Sequence, residues 1–238
     1  MKGSHLFSFS FDSGLLLKDY KAVQSATQLH HSQQNYTGEW SGIPLRRPKS
    51  AFMALDAGNA EQDQFVNTEQ AIKTAYVEEV LSFFECEKTS VRFLKLTPGS
   101  VIKPHSDERL SFFVGYVRLH IPVLTNDKVE FVADGEGLKM QPGECWFADF
   151  SRTHSVANRG DQDRVHLIID LIVNDWLTEL FIKEGIVAQD EQPPDPMDAE
   201  SEEFKLATVK ALLEQNTEAT RQLANDMIER YQLDHPLH

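Results

Sequence analysis

Hydrophobic and polar residues alternate in short runs through most of residues 90–174, and turn-forming pairs separate the runs. These pairs are Pro98-Gly99, Asp134-Gly135, Pro142-Gly143 and Gly160-Asp161. Alternation with a period of two is typical of β-strands, and many short strands divided by such turns indicate a sandwich or barrel rather than βαβ units. The pattern therefore predicts an all-β core.

Helical and irregular patterns precede this core. A strand is predicted over 6–11, followed by a helix over 15–23 for which Asp12 stands at the N-cap position. Residues 30–50 lack a regular period, and we predict a loop there whose histidines lie at the surface.

A second N-terminal helix is predicted over about 68–86. Asn67 stands at its N-cap position, and apolar residues recur at helical spacing within it. We expect this helix to pack against the sheet.

Helical periodicity returns after Asp175, first over 176–183 and again after Glu200. Between these stretches, residues from about 189 to 203 are acidic and contain prolines, which is typical of a solvated linker. The sequence thus predicts a barrel domain with N-terminal helices over 1–176 and a helical C-terminal region over 177–238.

Length, composition and net charge limit the functions that this protein is expected to have. With 238 residues, of which 41% are hydrophobic, the chain is long enough to bury a core. Its net charge of -14 opposes binding to nucleic acids and to anionic membranes. The sequence contains neither a long apolar span nor a secretory signal, so we expect a cytoplasmic protein whose Cys86 and Cys145 are reduced and partly buried.

Two of the predicted strands carry polar residues on one face. In VRLHIPV (117–123), Arg118 and His120 point opposite to the valines, leucine and isoleucine, and in RVHLIIDLIV (164–173) Arg164, His166 and Asp170 do the same. One explanation is an ordinary antiparallel sheet with this face in water. The alternative is a buried face that holds something polar.

Three residues could bind a metal on such a face. His105 and Asp107 in PHSDE are two positions apart, so on an extended segment both side chains point the same way. His154 supplies a second imidazole before the turn at 160–161. Two histidines and one carboxylate on one side of a metal leave its other coordination positions open, which is the facial arrangement of non-heme iron(II) oxygenases. Zinc accepts the same ligands, but the HExxH pattern of common zinc hydrolases is absent.

Arg164 strengthens the oxygenase interpretation, because it begins the strand that follows His154. The carboxylate of 2-oxoglutarate remote from a metal needs a fixed, permanently charged, bidentate donor. An arginine on a neighbouring strand meets this need.

Taken together, four motifs resemble the aspartyl/asparaginyl β-hydroxylase-like 2-oxoglutarate oxygenases, and among them most nearly the bacterial free-proline (cis-proline) hydroxylases. The motifs are PHSD (104–107), RLHIPV (118–123), PGECWFADFSRTHSVAN (142–158) and DRVHLIIDL (163–171). The resemblance covers roughly residues 91–175. It implies a double-stranded β-helix, a cupin-like jelly roll with flanking helices, followed by a helical C-terminal region.

The resemblance also assigns roles to residues. It implies that His105 and His154 bind iron, and that Arg164 holds 2-oxoglutarate with Arg118 and His120 in or beside its pocket. The protein-modifying members of the family lack a carboxylate ligand. Asp107 stands where the free-proline hydroxylases have theirs.

The expected function is that of an Fe(II)- and 2-oxoglutarate-dependent dioxygenase. With O2 as the second co-substrate, it would hydroxylate a C–H bond of an amino acid or amino-acid residue and release succinate and CO2. The alternative is a non-catalytic cupin-like module that binds a metal or a small acid. Two arginines near the expected site favour an anionic ligand, and an amino acid is the expected class of small-molecule substrate.

Overall fold

The computed structural model describes residues 1–107, 109–193 and 201–233. Most of the predicted acidic linker, residues 194–200, lies outside the described residues. The chain divides into two compact units, Met1–Glu191 and Gln192–His238. No helix in the described ranges has the length and apolar character that a membrane span requires.

Seven helices and strands precede the barrel. They are β1 (Ser4–Ser10), α1 (Ser13–Val23), β2 (Gln28–Leu29), β3 (Tyr36–Thr37), β4 (Trp40–Pro48), β5 (Phe65–Asn67) and α2 (Ala75–Phe83). The predicted strand at 6–11 and helix at 15–23 are confirmed as β1 and α1. The side chain of Asp12 caps α1 by accepting a hydrogen bond from the backbone N–H of Leu15 at 2.9 Å.

The predicted loop over 30–50 is wrong for its second half, because β4 forms there and pairs along its length with β6 of the larger sheet. Gly42 and Pro44 interrupt its apolar pattern, and proline is normally a signal against a strand. Burial of Ile43 and Leu45 against the sheet outweighs that local preference.

The predicted helix over 68–86 is shorter than expected. Asn67 ends strand β5 opposite Arg46 instead of capping a helix, and α2 begins only at Ala75. Asn67, the predicted N-cap, is therefore part of the sheet because it pairs with β4. The expected contact of this helix with the core is confirmed by the burial of Val77 and Val80.

Eight strands in succession form the barrel. They are β6 (Lys88–Leu96), β7 (Val101–His105), β8 (Tyr116–Leu124), β9 (Val129–Ala133), β10 (Glu136–Leu138), β11 (Glu144–Ala148), β12 (His154–Asn158) and β13 (Arg164–Ile172). The larger sheet has the order β1-β11-β8-β13-β6-β4-β2, with β5 beside β4. The smaller sheet has the order β10-β9-β12-β7-β3. The eight strands are thus shared between two antiparallel sheets, which confirms the predicted jelly roll.

The larger sheet buries both of its faces. Val117, Leu119 and Ile121 of β8 pack with the N-terminal helices in one core cluster. Residues of the opposite face, such as Leu96 and Ile168, pack with the smaller sheet in a second cluster. The polar residues of β8 and β13 lie on this inner face, so the explanation that they point into water is wrong.

Three helices follow the barrel: α3 (Asp175–Lys183), α4 (Glu202–Gln215) and α5 (Glu218–Tyr231). Helix α3 belongs to the first unit and contributes Leu177 and Phe181 to its core. Helices α4 and α5 pack on each other through a small apolar cluster of their own. Both cysteines are buried and free, as expected.

Candidate metal centre and co-substrate pocket

Strands β7 and β12 bring the three predicted metal ligands together. His105 and His154 are direct cross-strand partners, and their ring centroids are 4.2 Å apart. Asp107 follows β7 and is held by a hydrogen bond from its backbone N–H to the carbonyl of Phe150 at 2.8 Å. One ligand atom from each of the three residues lies within 4.8 Å of the others, which is compact enough for all three to bind one ion.

Backbone carbonyls fix the tautomers of both histidines. Nδ1–H of His105 donates to the carbonyl of Lys103 at 2.8 Å, and Nδ1–H of His154 donates to that of Arg152 at 3.0 Å. Each ring therefore keeps the lone pair of Nε2 for a metal. Burial lowers the pKa of His154, which favours the neutral form that binds metals. The donor set fits a divalent transition metal such as iron(II).

A chain of charged hydrogen bonds supports the carboxylate of Asp107. Arg118 donates from Nη1 to Oδ2 of Asp107 at 2.7 Å, which leaves Oδ1 for a metal. The same guanidinium donates to both carboxylate oxygens of Asp170, at 2.6 and 3.0 Å. Arg92 donates to Oδ2 of Asp170 at 3.1 Å. Although burial opposes ionisation, the positive charge of Arg118 contributes to a lowered pKa for Asp107.

Arg164 is the most deeply buried cation of the site, with 2% of its surface exposed. Its guanidinium donates a hydrogen bond from Nη2 to Nδ1 of His166 at 2.8 Å and makes a cation–π contact with the ring of Phe131. No carboxylate pairs with it in the part of the chain that the structure describes. Burial lowers the pKa of Arg164 to about 9, because removal from water disfavours the charged form. Such a group suits an anion that arrives from outside the protein.

His120 and His166 form a buried pair beside Arg164. The Nδ1 atoms of the two rings are 3.3 Å apart, and the His120 ring also stacks on Phe150. Because His166 accepts from Arg164 at Nδ1, its proton lies on Nε2. Burial and the charge of Arg164 hold the pKa of both histidines well below the usual range, so both rings stay neutral.

These groups surround one cavity of about 560 Å³. All six predicted site residues line it: His105, Asp107, Arg118, His120, His154 and Arg164. The volume falls in the range of roughly 300–1,000 Å³ that is typical of small-molecule sites.

The sequence profile of the aspartyl/asparaginyl beta-hydroxylase family matches residues 14–173. The chain belongs to this family. The match begins within α1 and extends to the end of the barrel, leaving β1 outside, so the site described above lies entirely inside it. A family relative, the L-proline cis-4-hydroxylase of Rhizobium meliloti (strain 1021), is 25% identical over 172 residues. That alignment covers 71% of this chain and 61% of the relative, less than two thirds of its length.

Two solved structures are partly similar to the structure of this chain. One is an oxidoreductase of the 2OG-Fe(II) oxygenase family from Burkholderia pseudomallei, with a TM-score of 0.47 and 14% identity over 71% of this chain and 85% of the other. The second is a prolyl-4-hydroxylase from Pseudomonas putida, with a TM-score of 0.43 and 13% identity over 72% and 93% of the two chains.

One wall of the cavity contains residues that the hydrophobic pattern of the sequence did not predict to lie at the site. His30, expected at the surface, is buried and stacks on Trp40 with 3.6 Å between ring centroids and an interplanar angle of 7°. Both residues line the cavity. The stretch from 30 to 40 lacks a regular hydrophobic period, so only the pairing of β4 with β6 could reveal this wall.

Proposed function

We propose that the protein is an Fe(II)- and 2-oxoglutarate-dependent dioxygenase that hydroxylates a C–H bond of an amino acid. One observation carries the proposal: a two-histidine, one-carboxylate cluster lines the same cavity as a buried arginine that pairs with no carboxylate among the described residues. The first feature suits iron(II), and the second suits the far carboxylate of a 2-oxo acid. Membership in the hydroxylase family supports the same activity.

Each residue has a defined task in this proposal. His105 and His154 would hold iron(II) through Nε2, and Asp107 through Oδ1. Bound iron(II) supplies the redox chemistry that couples decarboxylation of 2-oxoglutarate to hydroxylation by O2, with succinate and CO2 as products. Arg164 anchors 2-oxoglutarate by its far carboxylate, and this orients the reacting end toward the metal ligands.

Arg118 and His120 act beside the co-substrate in this proposal. Arg118 is bound to two carboxylates of the protein, so its main contribution is to hold Asp107 in place. His120 lines the same cavity as a neutral ring and therefore adds no positive charge beside the co-substrate. All of these residues belong to the unit Met1–Glu191, to which we assign the activity.

The proposed substrate is a small molecule of the amino-acid class. The relative from Rhizobium meliloti is named as acting on L-proline, which makes a free amino acid the first class to test. Asp107 supports the same choice, because the resemblance places it where the free-proline hydroxylases have their carboxylate ligand.

Anaerobic titration of the iron(II)-loaded protein with 2-oxoglutarate tests the proposal. Chelation of the metal by the 2-oxo acid produces a weak visible charge-transfer band, which we expect to saturate with one equivalent bound per protein. The band should be absent with succinate, which lacks the 2-oxo group. If protein that contains iron gives no band, a non-catalytic metal- or acid-binding module explains the site instead.

A further inference from the structure

Within the described residues, only neutral groups hold the guanidinium of Arg164. Nη2–H donates to Nδ1 of His166 at 2.8 Å, and the guanidinium lies 5.6 Å from the ring centroid of Phe131. Arg118, on the neighbouring strand β8, is instead bound to two carboxylates of the protein. The protein's own carboxylates thus balance the charge of Arg118, whereas the charge of Arg164 stays available to a ligand.

His166 reaches Arg164 because both residues belong to β13. Side chains two positions apart on a strand point to the same face, and both are buried here, with 2% of Arg164 and 1% of His166 exposed. A long arginine side chain has considerable rotational freedom, and a fixed acceptor on the same strand restricts it to fewer orientations. The contact therefore orients the guanidinium before a ligand arrives.

The tautomer of His166 matches this task. A guanidinium can only donate, so Nδ1 of His166 carries a lone pair and Nε2 carries the proton. Nδ1 of His120 lies farther from that lone pair, at 3.3 Å. Nε2–H of His166 has no hydrogen-bond partner within the described ranges, but His166 also lines a second cavity of about 20 Å³. That cavity is large enough for one water molecule to accept the bond.

A neutral acceptor suits this position better than a charged or an apolar group. A carboxylate at position 166 would neutralise Arg164 and compete with any anion from the cavity. An apolar side chain would remove the acceptor and leave a buried donor without a partner. A neutral imidazole avoids both effects, because it holds the guanidinium and leaves its charge unbalanced.

We propose that His166 is a positioning residue, which orients Arg164 through a neutral hydrogen bond and leaves its full charge for the far carboxylate of the 2-oxo acid. This inference rests on the proposed function, in which Arg164 anchors 2-oxoglutarate. It concerns the far carboxylate alone. A 2-oxo acid that lacks this carboxylate should therefore not respond to changes at His166.

Anaerobic titration of the iron(II)-loaded protein with two 2-oxo acids tests this role. 2-Oxoglutarate has the far carboxylate, and 2-oxopentanoate has a methyl group in its place on a chain of the same length. Both acids can chelate iron through the carboxylate and oxo group at the other end, so both give the charge-transfer band. We expect the wild-type protein to bind 2-oxoglutarate more tightly by about tenfold or more, because only this acid meets Arg164.

Three substitutions of similar size at position 166 separate the acceptor from its charge. His166→Asn keeps a neutral acceptor, so the affinity for 2-oxoglutarate should fall by less than about threefold. His166→Leu removes the acceptor and His166→Asp adds a negative charge, and in each the affinity should fall by about tenfold or more. The affinity for 2-oxopentanoate should change by less than about twofold in all three. N-oxalylglycine, an inert analogue of 2-oxoglutarate that keeps both carboxylates, should follow 2-oxoglutarate.

Two further measurements separate positioning from stability. In His166→Asp the new carboxylate pairs with the buried Arg164, so the melting temperature of the metal-free protein should not fall although 2-oxoglutarate binds more weakly. Ile168→Val, two positions further along the same face of β13 and in the apolar core, is the matched control for loosened packing. It should weaken neither acid.

Nitrogen NMR of the wild-type imidazole rings checks the tautomer and remains informative if a variant fails to fold. We expect a protonated Nε2 and an unprotonated Nδ1 for His166. A proton on Nδ1 would overturn the proposed role, because that atom could not then accept from Arg164.

The outcomes of the titration distinguish two failures. If the iron-loaded wild-type protein gives no band with 2-oxoglutarate, the proposed function fails, and the role of His166 fails with it. If wild type prefers 2-oxoglutarate and His166→Leu keeps the full preference, only the role of His166 is overturned. Equal losses for both acids, or a loss in His166→Asn as large as that in His166→Leu, would overturn it as well.

Discussion

Arg118 and Asp170 are direct cross-strand partners on β8 and β13, and their side chains form two hydrogen bonds, at 2.6 and 3.0 Å. Asp170 is 4% exposed, so this pair is shielded from water and geometrically fixed. Arg118 extends the arrangement to Asp107 through its remaining nitrogen. The position of Asp107, which we propose as a metal ligand, is thereby set by a residue on a different sheet.

Replacement of Asp170 by Asn should weaken metal binding although Asp170 does not touch the metal. Loss of the carboxylate frees Arg118 from its bidentate pair, and Asp107 then loses its fixed partner. We expect the affinity for Fe(II) or Co(II) to fall by about 10- to 100-fold, as is usual for residues that orient metal ligands. Anaerobic metal titration of the folded protein measures the effect.

Asp127→Asn, an exposed aspartate in a loop, is the matched control for this change. A double variant with Asp107→Ala should show no further loss of metal affinity from Asp170→Asn, because the two residues act through one ligand. A lower melting temperature of the metal-free protein with unchanged metal affinity would show that Asp170 serves stability alone.

His154→Ala and Asp107→Ala should each abolish iron-dependent formation of succinate from 2-oxoglutarate. Each change removes one of the three donors that the cluster in this chain offers to iron(II), so the metal should be bound much more weakly. Bound iron measured after gel filtration, together with succinate release, checks both effects. His5→Ala should retain both, and full activity of His154→Ala would contradict the assigned metal centre.

Arg164→Met should separate co-substrate binding from stability. Within the described ranges no carboxylate pairs with this buried charge, and methionine keeps a long side chain in place, so the free energy of unfolding should stay equal or increase. The dissociation constant for 2-oxoglutarate should rise by roughly 10- to 100-fold in the anaerobic titration. Arg159→Met, at an exposed ion pair with Glu130, is the control and should change neither quantity.

N-oxalylglycine should stabilise the protein only when a divalent metal is bound. At a concentration of 100 times its dissociation constant, a ligand adds about 2.7 kcal/mol to the free energy of unfolding. For a unit of this size, that corresponds to a rise in melting temperature of roughly 5–10 °C. Equal shifts with and without metal would mean that the analogue binds by its carboxylates alone.

Gly42→Ala should destabilise the barrel, since a Cβ atom at this position would lie 2.5 Å from the carbonyl oxygen of Phe93 and 2.8 Å from a methyl group of Leu94. We expect a loss of about 1–3 kcal/mol in urea unfolding. Gly137→Ala is the matched control, because nothing lies within 4 Å of the added atom and the residue is also in a strand. A neutral Gly42→Ala would show that β4 can move away from β6.

The sequence by itself determined those strands and helices whose hydrophobic pattern matches their burial in the folded protein. In β8 and β13, side chains alternate between two faces, so the sequence separates an apolar face from a polar face, while only the structure shows that the polar face lies toward the cavity. The spacing of His105 and Asp107 likewise predicts two ligands on one side. Turn-forming pairs fixed where the strands end, because their backbone preferences act over a few residues.

Tertiary structure alone decided which distant groups meet. Arg118 contacts Asp170, 52 positions away, because β8 and β13 pair in one particular register. That register depends on packing over the whole sheet. The same holds for β4: its glycine and proline argue locally for a loop, and burial against β6 overrides them. His30 lies in the cavity wall because its ring stacks on Trp40, the first residue of β4. No local sequence pattern predicts this contact between side chains.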